Sequence, residues 1–191
     1  FGSSSKKIKN YLFIGNCFHI NFSSKNENSI GSFKLELEKV NTPLFLENQL
    51  RLSCIVYSFS MIKLLTVENQ KNENIFKLIN NYFKLLTEDN WIRGYIFWEL
   101  EFYKNLGYEL KFENYAKKVV HNGSSKYISI SDEKKIIPNF LIDNKIENIS
   151  KDDLVLGFDI VGNFLEKSVL NLNNLVMPET RYDFVNLIKK L

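Results

Sequence analysis

Apolar and polar positions follow two regimes along this chain, a period of two before Pro43 and a period of three to four after it. Cys17-Phe18-His19-Ile20-Asn21-Phe22 alternates apolar with polar behind a Gly15-Asn16 turn signal. Ser32–Val40 alternates strictly, with Phe33, Leu35 and Leu37 on one face and Lys34, Glu36 and Lys39 mostly on the other. Both predict strands, and the Ser/Asn-rich stretch 23–31 between them suits a hairpin loop. Two strands do not make a stable sheet alone. The first residue is Phe1, not Met, and the expectation is a small β-domain whose first strands lie upstream.

Beyond Pro43 the pattern turns helical. Glu47–Val67 and Asn74–Leu86 predict two helices, the second with Ile75, Phe76, Ile79, Phe83 and Leu86 as its buried stripe. The densest apolar stretch is Trp91–Tyr108, where Trp91, Tyr95, Trp98, Phe102 and Leu106 recur at helical spacing. A helix apolar on most faces is one that other elements surround. Thr87-Glu88-Asp89 offers its N-cap and Gly107 its left-handed stop. Glu99 interrupts this run and needs a partner or a surface; the plain reading puts it on an exposed stripe.

Residues 108–141 are less regular, with Tyr127–Ser131 alternating like a short strand after a turn at Asn122-Gly123. Leu154–Leu170 predicts a helix with Phe158, Val161, Phe164, Leu165 and Val169 inward, and Asp152-Asp153 complement its dipole. Pro178 opens a last helix, Glu179–Leu191, with Phe184 and Leu187 facing in. The fold class expected is α+β: a β-piece over 1–42, then an α-helical bundle over 43–191 with a short irregular or β insert around 109–143.

Composition adds little. At 191 residues and 45% hydrophobic the chain can bury a substantial core, and a net charge of +3 permits nucleic-acid binding without arguing for it. Lys, Asn, Ile and Phe are abundant in the manner of an AT-rich genome, which discounts any single lysine. Cys17 and Cys54 stand too far apart in sequence to match a metal or redox spacing, and His19 and His121 are equally isolated from each other. No apolar run is long enough to cross a bilayer, so the expectation is a soluble, cytosolic protein without a membrane partner.

Catalytic patterns are missing. No Gly-rich phosphate loop and no Ser/His/Asp or Cys/His set occurs at useful spacing. Glu99 and Glu101 point to different faces of one helix and cannot form a pair. An enzyme is not expected. The chemistry that stands out is the basic N-terminal loop, where Ser5, Lys6, Lys7 and Lys9 can contact phosphates through hydroxyl, ammonium and backbone N–H groups. A plain solvated loop is the alternative.

Three segments in order resemble the bacterial recombination mediator family RecO, in the form found in α-proteobacteria. The first is Gly2-Ser3-Ser4-Ser5-Lys6-Lys7 with Gly15-Asn16 and Gly31-Ser32-Phe33, which is similar to the basic turn, the "PGN" step and the next strand of that family's OB-fold. The second is Trp98-Glu99-Leu100 through Leu106-Gly107-Tyr108, and the third is Gly157-Phe158 to Glu166 with Met177-Pro178-Glu179-Thr180-Arg181. Departures are Ile14 for the usual Pro, Phe97 for the usual Arg (removing a partner for Glu99), and Tyr115 where many members begin a cysteine zinc module.

The resemblance implies a partial OB-fold barrel lacking roughly its first two strands, and a middle segment, 114–141, that needs no zinc or other cofactor. It implies a non-enzymatic, cytoplasmic and nucleoid-associated protein of recombinational repair in the RecF pathway. Such a protein binds single- and double-stranded DNA, anneals strands, and works with RecR to load RecA. It also binds the C-terminal tail of single-stranded-DNA-binding protein. Ser5, Lys6, Lys7 and Lys9 would hold DNA, with Phe18 or Phe33 as stacking residues unless both are core. Arg51, Arg93 and Lys104, with Lys63, are the cations proposed for the partner tail. The alternative is an α-helical protein-interaction domain without DNA affinity.

Overall fold

A computed structural model of the chain describes residues 9–26, 30–68, 70–121, 124–143 and 149–191. Two compact units divide it, residues 1–64 and 65–191. The architecture is mixed α and β, with two small antiparallel sheets and five α-helices among the described residues.

In the first unit, β1 (Cys17–Ser23) pairs with β2 (Ser32–Lys39) as a two-stranded ribbon, and among the described residues no barrel closes around it. Gly15 at φ 86° makes the turn into β1 that the sequence predicts. Asn41 then ties the ribbon's far end back: its N–H donates to Asn16 Oδ1 at 2.9 Å and its Nδ2 to the Gly15 carbonyl at 2.8 Å. Pro43 starts a single 3-10 turn, Thr42–Phe45. Helix α1 (Gln49–Leu65) follows, with Asn48 Oδ1 accepting from the Arg51 N–H at 3.0 Å.

The second unit is built around α3 (Trp91–Asn105). Ahead of it lies α2 (Glu73–Leu85), capped by Asn72, whose side chain accepts from the Ile75 N–H. Trp98 Nε1 donates to the Leu78 carbonyl at 3.0 Å and locks α2 to α3. Phe76, expected inside, is exposed; Tyr82 takes its place in the core against Trp98 and Tyr95. The expected N-cap at Thr87–Asp89 lies too early, since Asn90 precedes the first turn and gives no side-chain cap bond. Helix α3 does stop at Gly107 (φ 93°), where the Tyr108 and Gly107 N–H groups bond back to Tyr103 and Lys104 in a Schellman arrangement.

The insert is more regular than the sequence predicts. Strands β3 (Ala116–His121), β4 (Ser124–Ser129) and β5 (Ile136–Ile137) form one antiparallel sheet. The expected turn at Asn122-Gly123 lies outside the described residues. Ala-Lys-Lys-Val-Val-His does not alternate, so β3 gives no strand signal of its own; it exists because β4 pairs with it along its whole length.

Helix α4 (Lys151–Leu165) starts with a capping box, the Ser150 hydroxyl accepting from the Asp153 N–H while Asp153 accepts from the Ser150 N–H. Its end is not the α-helix expected to Leu170, since Glu166–Leu170 forms a π-turn. Gly157 lets it approach closely, because a Cβ there would stand 2.9 Å from Phe140 and 3.2 Å from Ile96. Helix α5 (Glu179–Ile188) follows Pro178 as expected, burying Arg181, Phe184 and Ile188.

Glu99 is the main departure from the sequence reading. It is 2% exposed, not on an exposed stripe. The partner lost at Phe97 comes instead from Arg181, 82 residues on, whose Nη1 donates to Glu99 Oε1 at 2.5 Å. The Tyr103 hydroxyl donates to the same oxygen at 2.6 Å, and Arg181 Nη2 donates to the Phe158 carbonyl at 2.9 Å. Gly162 makes room, since a Cβ there would lie 2.9 Å from the guanidinium. One carboxylate thus joins α3, α4 and α5.

Removing either charge leaves the other buried. Glu99→Ala and Arg181→Ala should each cost about 3–5 kcal/mol, and Glu99→Met with Arg181→Met together should cost less than either single change. Urea unfolding of the three variants checks this; a double variant worse than both singles would refute it.

Candidate nucleic-acid interface

The ribbon register sets the surface of the first unit. Phe18 faces Leu37, Ile20 faces Leu35 and Phe22 faces Phe33, so six apolar side chains share one face. On that face Ile20, Phe22 and Phe33 are exposed, Phe33 at 66%, while Phe18 and Leu35 are half-buried. Core packing for Phe33 therefore does not hold within the described residues. Its ring meets Phe22 at a centroid distance of 4.8 Å, which presents two adjoining aromatic surfaces.

The opposite face is polar and largely neutralises itself. Lys34 Nζ lies 2.8 Å from Glu36 Oε1, which holds that carboxyl below the ordinary carboxylate range and lifts the ammonium. Burial pushes the Cys17 thiol up, aided by its hydrogen bond to Glu38 at 3.4 Å.

Of the expected phosphate contacts, Ser5, Lys6 and Lys7 lie outside the described residues, and Lys9 is exposed just before the turn into β1. The cations expected at a partner tail are spread over both units. Arg51 is half-buried on α1 and Lys63 is exposed there. Arg93 and Lys104 lie eleven residues apart on α3, on one face and about 16 Å apart along the axis. Neither is idle: Arg93 sits over the Phe97 ring at 5.8 Å, and Lys104 Nζ lies 3.9 Å from Glu101 and 3.6 Å from Glu109. So Phe97, which removes an arginine from the helix, receives another on its face. Sequence reasoning missed Ile20 and Phe22 as surface residues; only the cross-strand register shows that they adjoin Phe33.

No group of three His, Cys, Asp or Glu side chains that could hold a metal occurs among the described residues. Nor is any helix among them long and apolar enough to cross a membrane.

Comparison with known proteins bears on the whole arrangement. Residues 46–171 match the family model "Recombination protein O C terminal", a span from just before α1 to just after the π-turn. The DNA repair protein RecO of Ehrlichia chaffeensis is 25% identical over 202 aligned positions, covering 96% of this chain and 83% of that protein. Its namesake from Rickettsia akari is 27% identical over 97% of the chain and 82% of its own length. That of Rickettsia felis reaches 33% over 56% of the chain and 45% of its own length. No solved structure matches the chain.

If the ribbon's apolar face is a surface and not a core, shaving it costs little. Phe33→Ser should change stability by less than about 0.5 kcal/mol, whereas Phe158→Ala, 1% exposed in the second unit, should cost about 3–5 kcal/mol. Denaturant titration of the two variants decides it; a loss above about 2 kcal/mol for Phe33→Ser would mean that the face is covered.

Proposed function

The chain belongs to the RecO family, and from that membership we propose that it is a non-enzymatic mediator of recombinational DNA repair in the RecF pathway. It binds single- and double-stranded DNA, anneals complementary strands, and helps RecR load RecA. The observation that carries this reading is the extent of the likeness: relatives named DNA repair protein RecO align over 96–99% of the chain.

In this reading the β1–β2 ribbon is the C-terminal part of an OB-fold. OB-folds hold single strands by stacking bases on exposed aromatics beside a basic track. The Phe22–Phe33 pair supplies the aromatics, and Ser5, Lys6, Lys7 and Lys9 supply phosphate contacts. Arg51 of the first unit and Arg93 of the second are each, by itself, a candidate cation for the acidic tail of single-stranded-DNA-binding protein; Lys104, already shared between two glutamates, contributes less. The protein works at the nucleoid in the cytoplasm, with no cofactor. The insert takes no zinc, because Cys17 and Cys54 both lie outside it. A helical protein-interaction domain without DNA affinity is the competing reading, favoured by the net charge of only +3.

Fluorescence anisotropy of a labelled single-stranded oligonucleotide at two salt concentrations separates the two. Binding should weaken steeply with salt, and replacing Lys6, Lys7 and Lys9 by Glu should lower the salt slope by about 2, three contacts at roughly 0.7 each. An unchanged slope would exclude the loop, and no binding by the native chain would move the function to protein contacts. Elemental analysis should find no stoichiometric zinc; one zinc per chain would overturn the metal-free insert.

A further inference from the structure

The second unit carries a groove of about 700 Å³ between the insert and α4, within the range of roughly 300–1,000 Å³ typical of ligand clefts. Phe112, Ile136, Ile160 and Phe164 make its walls. Tyr115 stands at its edge and is 54% exposed. We propose that this groove is a second single-stranded nucleic-acid site, separate from the basic loop and the ribbon of the first unit.

Charge is the first argument. Lys134 and Lys135 line the groove from the sheet side and Lys167 from the α4 side. Lys134 and Lys167 form no ion pair among the described residues, and Lys135 has only Asp132, at 3.7 Å between two exposed side chains. The one acid in the lining among the described residues, Asp159, has Lys189 at 4.0 Å. A strand with a phosphate at each residue meets cations on both banks.

Local geometry is the second argument. The π-turn Glu166–Leu170 shifts the phase of the helix at its end, and both Lys167 and Ser168 of that turn line the groove. Such turns recur at functional sites because they redirect side chains that a regular helix would carry elsewhere. Ser168 adds a hydroxyl for phosphate or sugar, and Ser129 and Ser131 add two more, 3.0 Å apart. Tyr115 offers an open aromatic surface, which stacks on any base. A peptide anchored by an apolar side chain would want that ring closed over it.

The inference rests on the reading of the chain as a DNA-handling protein and deepens it. Annealing needs two strands held by one molecule, and two separate sites would hold one each.

The test is oligonucleotide anisotropy on the full chain with two sets of variants. K134E/K167E should lower the salt slope by about 1.4, two contacts at roughly 0.7 each. Tyr115→Ala should weaken binding about tenfold and Tyr115→Phe should restore it. Circular dichroism verifies that these surface variants stay folded. Unchanged affinity and slope in K134E/K167E would overturn the proposal. So would an acidic, apolar peptide that binds the native chain and is lost in K134E/K167E while oligonucleotide binding stays intact. The triple Glu variant at Lys6, Lys7 and Lys9 keeps the two readings apart. Loss confined to it sinks the groove and spares the loop, and loss confined to K134E/K167E does the reverse.

Discussion

One buried carboxylate organises the second unit. Glu99 sits among the buried aromatic and aliphatic residues of the central helix, and a charge in that position is tolerable only if paired and hydrogen-bonded. Arg181 and Tyr103 both donate to its Oε1, and Arg181 also donates to the Phe158 carbonyl. These contacts fix where α5 docks, which fixes Phe184 against Tyr95 and Phe158 at centroid distances of 5.3 and 5.5 Å. A hydrophobic pair of similar volume could hold the helices as firmly. What the ion pair adds is a single permitted register, because sliding α5 by one residue would leave two charges buried apart.

The first unit has the opposite character. Its ribbon keeps most of its apolar side chains at the surface, and no element among the described residues of that unit lies over the face of Phe22 and Phe33. A two-stranded ribbon is marginal in water, and this one is held at its base by Asn41, which returns to Asn16 and Gly15. The ribbon displays Phe22 and Phe33, whereas α3 keeps Trp91, Tyr95, Trp98, Phe102 and Tyr103 inside.

Much of the helical architecture was legible because its signals are local. Asp152-Asp153 mark a helix start, Gly107 announces a left-handed stop, and Pro178 announces a first turn; each acts within five residues of itself, although the capping box of Ser150 with Asp153 was not read. The failures share a cause in long-range contact. Glu99 looked exposed because its partner stands 82 residues away, and the Met177–Arg181 segment was noticed as a family likeness, not as one half of an ion pair. Strand β3 lacked alternation because its pairing with β4 defines it. Tyr82 took a core place that Phe76 was expected to fill because it packs on Tyr95 and Trp98 of the next helix, which the periodicity of α2 alone does not show. At the candidate interface Lys9 was visible as a basic residue, whereas the Phe22–Phe33 pair needed the register.

The insert shows how such a segment keeps its place by other means than a knot of cysteines. Phe112, Ile137, Phe140 and Leu141 are each at most 7% exposed, and the Ile130 N–H donates to the Tyr115 carbonyl at 2.8 Å, closing the loop beyond β4 onto the start of β3. Phe140 reaches under α4 where Gly157 leaves room for it. The anchor is therefore apolar and one-sided, which leaves the outer part of the β3–β4 hairpin free to carry Lys118 and Lys126 into solvent. A segment anchored at its base and charged at its rim can change its surface lysines without disturbing the core. The groove beside α4 belongs to that adaptable rim, while the Glu99 pair that positions α5 does not.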